Sequence, residues 1–291
     1  MMSAGKIGVI GGSGLYAMQG LQQVAEVQVD TPFGPPSDLY ITGTLHGREM
    51  VFLPRHGRGH RVSPSALNYR ANIYGFKSLG VEWLISVSAV GSMQEHIHPG
   101  DLVIPDQFFD RTRSRVSTFF DQDVVAHIAF ADPVCPTLAE ALHQVASHLD
   151  LTAHFGGVYL CIEGPQFSTR AESRIYRQWG VDVIGMTNLP EARLAREAEL
   201  CYATLAIATD YDCWHETQDD VDVNSILAIL QHGAQRAQDI IGRVVPRLQG
   251  SRSCPCSHAL EHAILTAPSA IPETGRERLG LLINRYVAGP E

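Results

Sequence analysis

Three short apolar runs constrain the fold of this chain more than any other feature. Residues 6–10, 83–90 and 202–209 are rich in aliphatic and small side chains and lack the polar alternation of a half-exposed strand. Runs of this kind fit strands buried on both faces, as in a sheet covered by helices. None approaches the ~20 residues that a membrane-spanning helix needs. Further strands are expected at 24–30, 101–104, around Phe108, at 157–162 and at 182–186. A hairpin of 39–43 and 48–53 is expected to turn at His46-Gly47.

Helical segments separate these runs. Tyr69, Ile73, Phe76 and Leu79 keep helical spacing within 68–79, with Gly80 as a stop. Pro136 opens a helix through Leu149, since proline suits the first helical turn. Residues 171–178 and 190–199 also read as helices. In 223–245, Ile226, Leu227, Leu230, Ala234, Ala237 and Ile241 hold one stripe. Strands alternating with helices predict an α/β fold. Residues 1–250 are expected to form the body, and residues 251–291 a helical extension packed on the same domain.

Composition narrows the partners. The chain has 291 residues, and its net charge of −9 makes it a poor general ligand for nucleic acid or anionic membranes. A bound anion therefore needs a local pocket. No basic and apolar leader opens the sequence. Its cysteines, at 135, 161, 201, 213, 254 and 256, are scattered rather than framed for disulfides. A soluble cytoplasmic protein is the expectation.

Residues with chemical potential cluster at the strand ends. Gly12, Gly14 and Ala17 match G-x-G-x-x-A, and Asp30 follows at about the spacing of a dinucleotide fingerprint. Only 15–18 precede Gly20, however, which is too short for the crossover helix of such a unit. The other readings are a turn whose N–H groups and Ser13 hydroxyl face a single phosphate, or a purely structural turn. Arg55-His56-Gly57-Arg58-Gly59-His60 is either an anion pocket or an exposed basic loop. Small and hydroxylated residues at 86–92 suit close approach to a ligand or tight packing.

Asp210-Tyr211-Asp212-Cys213-Trp214 follows the last apolar run. The acidic pair could form a turn, bind a metal or do acid–base chemistry, though no third ligand stands at a short spacing. Raising such a carboxyl from ~3.9 towards ~7 costs about 4 kcal/mol, within reach of burial. Cys254, Cys256, His258 and His262 could make a zinc site on paper. Thiols only two residues apart rarely close a compact site, so free thiols or a redox-labile pair are expected.

Together, residues 10–15, 31–34, 55–58, 68–72, 99–101, 163–172, 185–192 and 208–214 resemble, in order, the 5'-methylthioadenosine phosphorylases of the purine nucleoside phosphorylase superfamily. The resemblance implies a single-domain, three-layer fold with a central mixed, partly closed β-sheet flanked by helices. It implies phosphorolysis of 5'-methylthioadenosine to adenine and 5-methylthioribose 1-phosphate, with adenosine as a side substrate. A 6-oxopurine phosphorylase on the same fold is the alternative. Phosphate would be a co-substrate, with no cofactor and no metal. The chain would form a trimer or a dimer of trimers.

The same resemblance assigns residues. Phosphate would be held by Ser13, Arg55, His56, Ser88, the backbone at Ala89, and Thr187. Met186 would pack against the ribose, Phe167 would stack near the base, and Ser168 and Asp210 would read the base edge. Asp212 would support the Asp210 loop. His60, Ile226 and Leu227 would shape the 5' pocket, with His127 reaching in from a neighbouring subunit. Ser13 and Ser88 stand where the family usually has Thr, and Gln166 where it usually has Arg. The acid at 210 bears on the base: one oxygen can donate to purine N7 while the other accepts from a 6-amino group. A 6-oxopurine reader would be expected to carry an amide there.

Overall fold

A computed structural model of the chain describes residues 5–12, 14–15, 17–215, 223–249 and 252–287; side chains of 223–228 lie outside the described set. The first apolar run is β1 (Lys6–Gly11), the second is β5 (Val81–Ser92), and the third is β11 (Cys201–Asp210). β5 pairs in parallel with both of the others, from Ile7 opposite Trp83 to Ile10 opposite Ser86, and from Cys201 opposite Trp83 onwards. These three strands form the centre of one mixed sheet.

Beyond β1 come β4 (Arg48–Pro54), β3 (Tyr40–Leu45) and the edge strand β2 (Gln22–Val27). Further along the same edge of β5 comes β10 (Val183–Gly185), followed by β9 (Val158–Ile162) and β7 (Gln107–Arg111), while β11 takes the other edge. β6 (Leu102–Ile104) pairs with β11 and with β8 (Ala153–Phe155). β1 leaves β5 after Ser86, and β10 joins it antiparallel only at Gly91 and Ser92. The sheet forks over residues 87–90 of β5, and the functional cavity opens in that fork.

Side-chain alternation explains why the central strands read as continuously apolar. In β11, Cys201, Ala203, Leu205 and Ile207 pack into one core, while Tyr202, Ala206 and Ala208 pack into another. The first core is closed by Leu138, Leu142 and Val145 of α2 (Pro136–His148) and by Ile240, Ile241 and Val244 of α5 (Val223–Val244). The second is closed by Ile73 and Phe76 of α1 (Tyr69–Ser78), Leu194 of α4 (Asn188–Glu197), and Leu279 and Ile283 of α6 (Glu273–Val287). Helices therefore cover both faces, which makes three layers. Each fully buried aliphatic side chain contributes about 1.5–3 kcal/mol of transfer free energy.

Local signals set the helix ends. The Asn68 side chain accepts from the Ala71 N–H at the start of α1. Thr169 and Glu172 close a capping box on α3 (Arg170–Gln178). The structure moves some expected borders. β2 begins at Gln22 and ends at Val27, earlier than its own pattern suggests, because pairing with Tyr40–Leu45 sets its limits. The short β8 carries no readable period. The tail holds short 3-10 turns at Pro255–His258 and Pro268–Ala270 before α6, and it pairs once with the body, Ile264 against Ala126. Its Leu260, Ile271, Leu279 and Ile283 join the core that contains Ile10 and Tyr40. Among the described residues, no helix is long and apolar enough to cross a membrane.

Candidate active site

The fork in β5 opens into a cavity of about 630 Å³, within the size range of small-molecule sites. Strand ends build it: Gly12 after β1, Arg55 and His56 after β4, Ser88 to Gly91 of β5, Met186 and Thr187 after β10, and Asp210 closing β11. Carboxyl ends of strands are where ligands collect in open α/β sheets.

Arg55 is buried, and its guanidinium is nearly spent on the protein itself. Nε and Nη2 grip Glu191 at 2.8 and 3.0 Å, Nη1 donates to the Val87 carbonyl at 2.9 Å, and Nη2 also reaches Ser86 Oγ at 2.6 Å. Burial alone would lower the Arg55 pKa, but the charge and hydrogen bonds of Glu191 override it and hold it raised. Tyr202 donates to Glu191 Oε1 at 2.9 Å. Of five guanidinium N–H groups, one on Nη1 is left for a ligand. Arg55 thus spans the gap in the fork, as an internal strut more than as a free anion clamp.

His56 stands beside it. Its Nδ1 lies 2.8 Å from the Val62 carbonyl, which can only accept, so Nδ1 carries the proton. Burial and then the Arg55 charge push its pKa down to about 4. The ring is therefore neutral near pH 7, and Nε2 is an acceptor. The His60 ring stacks on His56 at 4.3 Å between centroids and also lines the cavity. Arg58 faces the other way, pairing with Glu26 at 2.7 Å and donating its backbone N–H to Asp38 at 2.6 Å. The basic hexapeptide thus divides between cavity and surface. Positive φ at Gly57 and Gly59 lets the chain turn that sharply.

The hydroxyls of Ser88 and Thr187 are buried and line the same cavity; both lie within reach of the buried Tyr159 hydroxyl, yet neither makes a hydrogen bond of good geometry within the protein. A buried unpartnered hydroxyl costs about 1–3 kcal/mol. Two of them in one corner are accounted for by a ligand that accepts from both.

Asp210 faces the same cavity from β11. Thr209 Oγ1 donates to its Oδ2 at 2.6 Å and the Asp212 N–H donates to its Oδ1 at 2.7 Å. Burial nevertheless dominates and raises the Asp210 carboxyl above the usual range. The Thr209 hydroxyl also lies 3.2 Å from the Val90 carbonyl. By donating there instead, it can accept from a protonated Asp210, so the surroundings tolerate both protonation states. Gly91 makes room: a Cβ at that position would sit 2.9 Å from Asp210 Oδ1. Asp212 is buried, its carboxyl raised mainly by desolvation, and its φ of 52° forms the turn that brings its N–H to Asp210.

Residues 6–246, which include every strand of this sheet and the whole fork, match the family model described as the phosphorylase superfamily. This chain belongs to that superfamily. It is 60% identical to an S-methyl-5'-thioadenosine phosphorylase of Geobacter sulfurreducens over 97% of this chain and 99% of the relative. It is 55% identical to one of Koribacter versatilis, over 97% and 96%. Among solved structures, a methylthioadenosine phosphorylase from an antarctic soil metagenomic library superposes with a TM-score of 0.92 at 47% identity, covering 97% of this chain and 99% of that one. The methylthioadenosine phosphorylase of Schistosoma mansoni in complex with adenine gives 0.80 at 37% identity, covering 84% and 91%.

On this phosphorylase scaffold, Arg55, His56, His60, Ser88, Ala89, Phe167, Ser168, Met186, Thr187, Asp210 and Asp212 all border one cavity. Phe167 is half exposed at 52%, whereas the Ser168 hydroxyl is buried without a partner. Ser13 lies outside the described residues, although Gly12 and Gly14 on either side line the cavity. The side chains of Ile226 and Leu227 also lie outside them. Further along the same helix, Leu230, Gln231 and Ala234 line the cavity. His127 is exposed and does not line its own chain's cavity; its N–H donates to the Ala263 carbonyl. Gln166 is exposed and outside the lining.

Two residues escaped the sequence reading. Glu191 gives no signal that sets it apart from the other charged residues of its helix, Arg193, Arg196 and Glu197. Arg115 donates to the carbonyls of Met186, Leu189 and Glu163 at 2.6–2.7 Å, tying together the two loops that carry Met186 and Phe167. Nothing in the local sequence separates it from its neighbours Arg111 and Arg113.

Proposed function

We propose that this chain cleaves 5'-methylthioadenosine with inorganic phosphate, releasing adenine and 5-methylthioribose 1-phosphate. The observation that carries this reading is the pairing, across one cavity, of a buried carboxyl held above its usual range with a corner of unpartnered hydroxyls. Relatives named for that activity support it.

Phosphate occupies the corner between the Ser88 and Thr187 hydroxyls, the Ala89 backbone, His56 and the remaining Arg55 N–H. Neutral His56 accepts a hydrogen bond from the P–OH of the hydrogen phosphate ion through Nε2, leaving its other oxygens to the hydroxyl donors. One phosphate oxygen attacks the anomeric carbon while the bond to purine N9 breaks and its electron pair moves into the ring. Protonated Asp210 donates to N7 and neutralises that charge, a general-acid contribution on the order of 10²–10⁴-fold. Its other oxygen accepts from the 6-amino group. Phe167 flanks the base and Met186 the ribose. Apolar Leu230 and Ala234, with Ile226 and Leu227 on the same helix, favour a methylthio group over a hydroxyl by about 1–3 kcal/mol. The reaction uses phosphate as co-substrate and no cofactor. His127 completes the 5' pocket of a neighbouring copy in a trimer or dimer of trimers, and the protein works in the cytoplasm.

Adenine release from 5'-methylthioadenosine, followed with and without phosphate, tests this. Strict phosphate dependence is expected. Equal release in phosphate-free buffer would make the chain a hydrolase, and faster release of hypoxanthine from inosine would overturn the base assignment.

A further inference from the structure

The end of β11 remote from Asp210 gathers four thiols. Cys135 is the N-cap residue of α2, Cys201 opens β11, and Cys254 and Cys256 flank Pro255 where the tail begins. All four are buried, none is in a disulfide, and their Sγ atoms lie within 4.8 Å of one another. His258 and His262, which the sequence pattern placed beside the tail thiols, are both exposed, and His258 pairs with Glu261 and Arg285. The two missing ligands of that paper site come instead from the body, one from a helix start and one from the central strand.

We propose that Cys135, Cys201, Cys254 and Cys256 form a mononuclear zinc site that pins the tail to the sheet. Four thiolates at 2.3 Å from one ion stand about 3.8 Å apart in a tetrahedron, which the observed cluster can reach by sub-ångström side-chain shifts. An all-sulfur tetrahedral set selects zinc over the harder divalent ions. Binding releases the four thiol protons and leaves a complex with two net negative charges. The surroundings answer that charge: Arg252 Nη1 lies 4.0 Å from Cys201 Sγ. Cys135 sits at the positive end of α2, which has no side-chain cap. With four protein ligands the ion has no open position, so the site is structural. It lies about 30 Å along the strand from Asp210, at ~3.3 Å per residue.

The test uses the full-length protein without a histidine tag, purified under reducing conditions from zinc-supplemented cells. Native mass spectrometry and elemental analysis are expected to give one zinc per chain. Replacement by Co²⁺ is expected to give the thiolate charge-transfer and visible bands of a tetrahedral all-sulfur site. Cys256→Ser is expected to weaken zinc binding more than tenfold and lower the Tm while phosphorolysis survives at ordinary temperature. If that variant does not fold, the cobalt spectrum of the unaltered chain decides. Folded protein that stays metal-free with four reduced thiols after zinc exposure overturns the proposal, as do disulfides joining these cysteines in the reduced preparation.

Discussion

The two ends of β11 are built to opposite rules. At Cys201 the strand enters a closed core among Leu138, Leu142, Val244 and Cys256, all less than 2% exposed. At Asp210 it ends at an open cavity, with a carboxyl raised by burial and unpartnered hydroxyls across from it. The closed end places groups where they stabilise the native chain. The open end leaves polar groups unsatisfied, which costs stability and makes sense only if a ligand satisfies them. The same strand therefore carries its structural and its chemical investment about 30 Å apart, at ~3.3 Å per residue.

The largest expected break in this contrast is Asp210→Asn. Losing the acid should lower kcat/KM for 5'-methylthioadenosine by about 10²–10⁴-fold. A group whose folded pKa is raised destabilises the fold once pH exceeds its unfolded value of ~3.9. Removing the charge should therefore leave Tm at pH 7 unchanged or higher. A variant that loses Tm and activity together would make Asp210 a structural residue.

Glu191→Ala comes next and probes the strut behind the cavity. It leaves the buried Arg55 charge without its partner, a loss of about 3–5 kcal/mol by the usual behaviour of broken buried pairs. Chemical denaturation should show it as a lower midpoint with an unchanged slope. A drop below ~1 kcal/mol, the scale of exposed pairs, would mean that water reaches Arg55.

The smallest effect is a pH dependence. His56 is held down to about 4 when folded, whereas an unfolded histidine titrates near ~6.5. Below ~6.5 the unfolded chain binds the extra proton, so this contribution to stability is present above that value and lost as pH falls towards 4. Glu197, which burial pushes up to about 7, has the opposite slope. Comparing the chain with His56→Gln cancels that term, and the unaltered chain should lose more stability between pH 6.5 and 4. Parallel curves would mean that folded His56 gains its second ring proton as readily as an unfolded histidine does.

Much of this molecule was legible in its sequence. The central strands β1, β5 and β11 announced themselves because both faces are buried, so that nearly every position had to be apolar or small. Helices α1 and α5 showed their period, and α1 and α2 a stop or a start residue. Asp210, Arg55, His56 and Ser88 stood out because polar groups at the ends of apolar runs have no packing role. The short β6 and β10 were still expected at 101–104 and 182–186, whereas the three-residue β8 carries too few residues for a pattern and β2 takes its limits from β3.

Order along the chain thus determined which segments are strands or helices and which residues could do chemistry, since periodicity and strand-end polarity are local. Only the tertiary structure decided what those residues meet. It turned Arg55 from a free anion clamp into a strut against Glu191, sent Arg58 to the surface, and brought Cys135 and Cys201 to Cys254 and Cys256. Each of those contacts joins residues far apart in sequence, and pairing across such distances is set by sheet register and core packing, which no local pattern encodes.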